Sequence, residues 1–187
     1  MYEDIIRHYW DYPKPGIDFI DLLPLLQHKE AFNDIIRRID ACISAPNVAT
    51  VEARGFLFTA PLLIQSAKIK TVVPIRKKGK LPYAEGDLQH VAIEKEYGSD
   101  DLYYRLSDLA ACHSETNTIE IALLDDLLAT GGTANGVAQS IQGKTVNGKT
   151  IVIKEFVFLA ELTYLPGRTM LEQNAPVHSI IQIDQPE

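Results

Sequence analysis

The chain has 187 residues, 46% of them hydrophobic, enough to enclose one sizeable core in a single domain over 1–187. Its 18 basic and 25 acidic side chains leave a formal net charge of −7, which argues against nonspecific nucleic-acid binding because most of the surface repels a phosphate backbone. Cys42 and Cys112 form no CxxC pattern, the acidic start lacks signal-peptide features and no apolar run reaches membrane-span length; zinc, disulfides and a membrane are not expected, and the cytoplasm is.

Apolar residues at helical spacing (Ile5, Ile6, Tyr9, Trp10) predict a short helix from Tyr2 to Trp10. The segment Asp11 to Gly16, with Pro13 and Pro15, predicts a rigid turn. A second helix is expected over Lys29 to Ile43, with Phe32, Ile35, Ile36 and Ile39 on one face. Then the pattern alternates. Strand Val48 to Val51 precedes a helix over Phe56 to Ala67, and strand Thr71 to Ile75 precedes a polar segment to Asp87. Val91 to Lys95 and Leu102 to Leu106 read as strands around the Glu96-Tyr97-Gly98 turn. Strand Ile119 to Leu124, a loop from Asp125 to Thr133 and a helix over Ala134 to Gln142 follow, then strands Ile151 to Phe158 and Ser179 to Ile183. The alternation predicts an α/β domain with a largely parallel sheet flanked by helices, which binds ligands where the strands end in loops.

The most informative stretch lies at such a strand end. After Leu124 come two carboxylates, Asp125 and Asp126, and then Ala129-Thr130-Gly131-Gly132-Thr133 at the start of a helix. Adjacent glycines allow left-handed backbone angles and close approach of an anion. The helix start offers unpaired N–H groups and a positive dipole end, to which Thr130 and Thr133 add hydroxyls. There is neither a GxxxxGK[ST] lysine nor a GxGxxG run, so the cradle suits a phosphate monoester rather than a nucleoside triphosphate or a dinucleotide. Two aspartates beside it suit the vicinal hydroxyls of a ribose 5-phosphate.

Taken whole, Leu124 to Thr133 resembles the donor-binding signature of type I phosphoribosyltransferases, in the variant typical of the adenine-using members. The resemblance spans nearly the whole chain. Pro13 to Ile17 with Phe19, Glu52 to Phe58, Arg76 to Pro82, Glu96 to Gly98 and Glu161 to Thr163 appear in the family's order. It implies a Rossmann-like fold with a small N-terminal hood (1–28) and a mobile lid loop (76–98). It also implies transfer of ribosyl 5-phosphate from phosphoribosyl pyrophosphate to adenine giving AMP, with Mg²⁺ and a homodimer.

The resemblance also assigns roles. Ala129, Thr130, Gly131, Gly132 and Thr133 would cradle the 5-phosphate, and Asp125 and Asp126 would hold the ribose hydroxyls. Arg54 and Arg76, with Lys80 from the basic cluster Arg76 to Lys80, would meet the pyrophosphate. Phe19 would stack on the base, while the backbone around Asp18 and Ile20 would distinguish an amino from an oxo group. The hypoxanthine-guanine relatives carry a carboxylate where this chain has Ala129, so proton handling passes to Glu96. Two departures stand out: Ile20 replaces a basic residue of many relatives, and the segment between Pro82 and Glu96 is longer and more acidic. The alternatives are another purine acceptor (xanthine or hypoxanthine), a noncatalytic donor sensor of the same fold, or a nucleic-acid binder using the basic loop.

Overall fold

The computed structural model describes residues 2, 4–94 and 99–184. Two strands open the chain, β1 (Arg7–Trp10) and β2 (Asp18–Asp21), followed by a 3-10 turn over Leu23–Gln27. The helix α1 (Lys29–Cys42) buries Ile35, Ile36 and Ile39 on one stripe, as its spacing predicts. Next come β3 (Asn47–Val51), every residue of it buried, α2 (Arg54–Gln65) and β4 (Thr71–Lys77). A ribbon of β5 (Leu88–Glu94) and β6 (Ser99–Arg105) leads to the one-turn α3 (Leu106–Ala110). The chain continues through β7 (Thr118–Leu128), α4 (Gly132–Ile141), β8 (Thr145–Val146) and β9 (Lys149–Leu162). It closes with α5 (Gly167–Leu171) and β10 (Val177–Ile183).

The main sheet runs β10-β9-β7-β3-β4-β6-β5, with β8 paired to β9. The five strands from β10 to β4 are mutually parallel, whereas β6, β5 and β8 are antiparallel additions at the margins. The largely parallel sheet read from the alternation is therefore present. Each face carries its own core. On one lie Tyr104 of β6, Val137 and Ile141 of α4, and Ile121 and Leu123 of β7. On the other lie α1, Phe58 and Leu62 of α2, Ile20 of the hood, and Ala122 and Leu124 of β7. A bulge in the β7–β9 pairing lets Ile121 face Ile153 and Ala122 face Glu155. The extra residue, Lys154, shifts the side-chain parity of β9, so that Ile151 and Ile153 before it share a face with Phe156 and Phe158 after it.

Two expectations are corrected. The described residues between Tyr2 and Trp10 form no helix: Arg7–Trp10 pairs antiparallel with Asp18–Asp21 as a hairpin. Tyr9 and Trp10 are 46% and 60% exposed, so the apparent helical stripe is not a buried face. A nine-residue segment has little intrinsic helix stability, and the Asp11–Gly16 turn brings a partner strand within reach of its backbone. At the other site, β7 continues through both aspartates to Leu128, because its ladder with β9 extends to Leu128 opposite Glu161. The expected nine-residue loop thus shrinks to Ala129–Gly131.

Candidate functional site

The parallel strands β3, β4 and β7 end on one side of the sheet, and the residues singled out from sequence gather there. Gly131 takes φ +80°, a left-handed angle that redirects the chain from β7 into α4. It serves as the N-cap and contributes no side-chain hydrogen bond, so no protein side chain caps the first N–H groups of α4. Ala129, Thr130, Gly131, Gly132 and Thr133 line a depression of about 90 Å³ floored by Leu128 and Phe158. Organic-ligand pockets run to roughly 300–1,000 Å³, so the depression receives one small group rather than a whole nucleotide. The helix dipole behind it favours an anion there.

Asp125 lines the depression, and Asp126 follows it on β7. Asp126 is 5% exposed, and its backbone N–H donates to Asp125 Oδ1 at 2.9 Å. Burial, then the neighbouring Asp126 charge, push the Asp125 carboxyl well above the usual carboxylate range, with Arg54 pulling the other way. Asp126 is also raised, by burial, against the opposing Arg54 charge. The pair therefore holds protons more tightly than free aspartates do.

Arg54, in the first turn of α2, brings its Nε within 2.7 Å of Asp126 Oδ2, and its guanidinium carbon stands 5.5 Å from the centre of the Phe19 ring. One side chain thus links Asp126 to the Phe19 ring, although residues 19, 54 and 126 are far apart in sequence. The contact with Asp126 is electrostatic rather than well aligned, for Arg54 Nη1 and Asp126 Oδ2 both lack a hydrogen-bond partner. Asp18 Oδ1 and Thr50 Oγ1 are likewise buried and unpartnered. A buried polar atom left so costs about 1–3 kcal/mol, and these four are groups that a polar ligand can satisfy.

The remaining candidates are distributed around this centre. Tyr12 meets Phe19 edge-on at 5.3 Å. The Asp18 carboxylate accepts a 2.7 Å hydrogen bond from His8 Nδ1, and Ile20 is buried in the core beneath the hood. Arg76, at the end of β4, is held by Glu52 at 2.6 Å and donates through Nη1 to the Lys80 carbonyl at 3.2 Å, while the Lys80 side chain is exposed. Sequence reasoning missed Glu52 as the partner of Arg76; its signal is the acidic residue two positions before Arg54. Glu96 lies outside the described residues. Of the remaining stretch 76–94, Asp87 accepts from the backbone and hydroxyl of Ser107, and the Pro82 carbonyl accepts from Arg105.

A larger depression of about 450 Å³ lies at the opposite end of the strands, among Pro46, Lys68, Lys70 and His113. Its lysines are already engaged, Lys68 with the carbonyls of Asp40 and Ile43 and Lys70 with that of Ala67. Parallel sheets bind ligands at the carboxyl ends of their strands, so the small cradle, not the large depression, marks the site.

No protein-family model matches the chain. Individual proteins do. The chain is 35% identical over 188 residues to an adenine phosphoribosyltransferase of a Roseiflexus species, covering 96% of both. It is 37% identical over 184 residues to the adenine phosphoribosyltransferase of Maridesulfovibrio salexigens, covering 96% of this chain and 98% of that one. The crystal structure of adenine phosphoribosyltransferase from Thermoanaerobacter pseudethanolicus superposes with a TM-score of 0.80 at 34% identity, over 97% of each chain.

Proposed function

The chain belongs to the adenine phosphoribosyltransferase family, pentosyl transferases of purine salvage, and on that premise we propose that it transfers the 5-phosphoribosyl group of phosphoribosyl pyrophosphate to adenine, giving AMP and pyrophosphate. The observation that carries the reading is the left-handed entry to α4, without a side-chain cap, a few residues after the adjacent Asp125 and Asp126.

In this scheme the N–H groups of Gly131 to Thr133 and the hydroxyls of Thr130 and Thr133 hold the 5-phosphate. Asp125 and Asp126 accept hydrogen bonds from the ribose hydroxyls. Arg54 leaves Asp126 and, with Arg76 and Lys80, neutralises the pyrophosphate, each charge-assisted bond contributing about 1.5–3 kcal/mol. Phe19 stacks on the adenine, and the backbone at Asp18 and Ile20 reads its edge. A lone pair of the base attacks the anomeric carbon as the bond to pyrophosphate breaks, through a ribosyl cation-like transition state. Glu96 takes the proton that the base sheds, a role worth roughly 10²–10⁴ in rate.

Among the described residues no three His, Cys, Asp or Glu side chains converge on one point. Mg²⁺ keeps several waters and binds phosphates readily, so it would be held largely by oxygens of the donor and by water. Held so, it would offset the negative charge gathering on the leaving pyrophosphate.

The chain works as a homodimer in this reading. Leu57, Leu63 and Ile64 on α2 are 39%, 39% and 85% exposed, beside an apolar groove of about 300 Å³ lined by Phe56, Val72 and Pro74. Arg76 lies across the Phe56 ring at 5.8 Å, so a second copy seated on this face would border the pyrophosphate-binding arginine. The two cysteines are free thiols, which suits the cytoplasm.

Incubation with the donor, Mg²⁺ and a panel of purine bases, with nucleotides resolved by chromatography, tests the proposal. AMP from adenine alone is expected. IMP or XMP as the main product would reassign the base, and donor binding without any product would make the chain a sensor.

A further inference from the structure

The floor of the phosphate cradle is not self-supporting. The Ala129 carbonyl faces Gly167, the first residue of α5, so closely that a Cβ on Gly167 would stand 2.2 Å from that oxygen, 2.7 Å from Leu128 Cδ1 and 3.1 Å from Gly131 N. A Cβ on Gly131 would in turn stand 3.1 Å from the Gly167 Cα. Two stretches of bare backbone touch here, and only glycine permits the approach.

At five residues, with no side-chain cap, α5 is too short to hold its own place by helix propensity. The residue after Gly167 supplies the hold. Arg168 Nε and Nη2 donate to Glu161 Oε1 and Oε2 at 2.8 and 2.5 Å, and Nη2 also reaches Ser179 Oγ at 3.1 Å. Its Nη1 donates to the Val177 carbonyl at 2.9 Å and to Glu172 at 3.0 Å. A guanidinium has five N–H donors, so this one has none to spare for a ligand. Glu161, 3% exposed at the end of β9, accepts a further 2.5 Å bond from the Ser179 hydroxyl. Burial opposes its ionisation, but the bonds from Arg168 and Ser179 win, and its carboxyl lies below the usual range. One planar fork therefore ties α5 to β9 and β10, and β9 flanks the strand that carries the cradle.

We propose that Gly167 and Arg168 are positioning residues for the donor's 5-phosphate: the Glu161–Arg168 clamp fixes α5, and the bare backbone of Gly167 buttresses the Ala129–Thr133 turn in the shape that aims its N–H groups at the anion. The proposal rests on the reading of that turn as the 5-phosphate cradle.

Gly167→Ala places a methyl against the Ala129 carbonyl while leaving the clamp intact. Affinity for ribose 5-phosphate and AMP, measured by calorimetry, is expected to fall by roughly ten- to a hundredfold, as misplacement of a binding loop does. Pyrophosphate affinity stays near that of the unaltered protein, the melting temperature falls by several degrees because the methyl cannot be seated beside the backbone oxygen without a local shift, and in turnover KM for the donor rises while KM for adenine does not. Arg168→Lys retains the charge but loses the fork, and gives a smaller loss with the same selectivity. Undiminished ribose 5-phosphate affinity in both variants overturns the proposal. So does a parallel fall for ribose 5-phosphate and pyrophosphate, which marks general loosening. The underlying reading has its own check: the amide resonances of Thr130 to Thr133 in the unaltered protein should shift on adding ribose 5-phosphate. No shift there removes the cradle, and the buttress with it.

Discussion

The two aspartates at the end of β7 are held in a state that costs stability. A carboxyl whose folded pKa lies above its unfolded value takes up protons on folding. Stability contributed in this way grows as pH falls from neutral through the raised value and levels off below the ordinary value near 3.8. Removing one ionisable group relieves the penalty. Asp125→Asn is therefore expected to raise the melting temperature at neutral pH, by about 2–4 °C for each kcal/mol relieved, and to flatten its dependence on pH. Donor affinity should fall in the same variant, because an amide replaces one carboxyl oxygen that would accept from the ribose hydroxyls. A thermal scan across pH and a calorimetric titration read the two effects; a lower melting temperature at pH 7 would show that the buried charge is not a net cost. At Glu96, Glu96→Gln is expected to lower kcat by roughly 10²-fold or more while leaving donor affinity largely intact. Unchanged turnover would take Glu96 out of the proton transfer.

Among the elements, α4 carries the cradle's N–H groups and is positioned from both ends. Gly131 and its contact with α5 set the start. Further along, the fully buried Tyr104 of β6 donates its hydroxyl to the Ser140 carbonyl at 3.1 Å, pinning the β5–β6 ribbon against the helix. Tyr104→Phe keeps the ring's packing and deletes only the hydroxyl's contacts with the carbonyl and the hydroxyl of Ser140. Urea unfolding is expected to show a loss of about 0.5–1.5 kcal/mol with the slope unchanged. A loss several times larger would mean that the ring itself had moved. The ribbon joins the sheet antiparallel through β6 and β4, and Arg76 and Lys77 supply that pairing. The basic segment thus begins as part of the sheet, which gives Arg76 a fixed base and leaves the Lys80 side chain at the solvent edge.

At the scale of the whole molecule, the exposed apolar face of α2 is the feature that one copy leaves uncovered. Stable interfaces bury about 1,200–2,000 Å², and an apolar face of this kind supplies the centre of one. Ile64→Asp is expected to shift the protein toward the monomer in sedimentation velocity, without lowering the melting temperature of the subunit beyond what the lost association accounts for. Wild-type protein sedimenting as a monomer at micromolar concentration would rule the homodimer out. Acidic surface elsewhere is compatible with the proposed anionic donor, which would meet the local field of the α4 terminus, Arg54 and Arg76.

Sequence alone settled what is contiguous. The helical stripe of α1, the β-branched runs of β3, β4 and β9 and the Gly131–Gly132 turn into α4 each carry their meaning in neighbouring residues, since strand period, helix period and a glycine turn are local devices, whereas the run of β7 on to Leu128 depends on its partner strand. Tertiary structure decided everything that depends on strands being side by side. The sheet order places β7 between β3 and β9, and only that order brings Arg54 to Asp126 and sets Gly167 under Ala129. The hood is the instructive reversal. A nine-residue stretch with helical spacing became a strand because the pairing of Arg7–Trp10 with Asp18–Asp21 satisfies its backbone, whereas so short a helix cannot sustain itself.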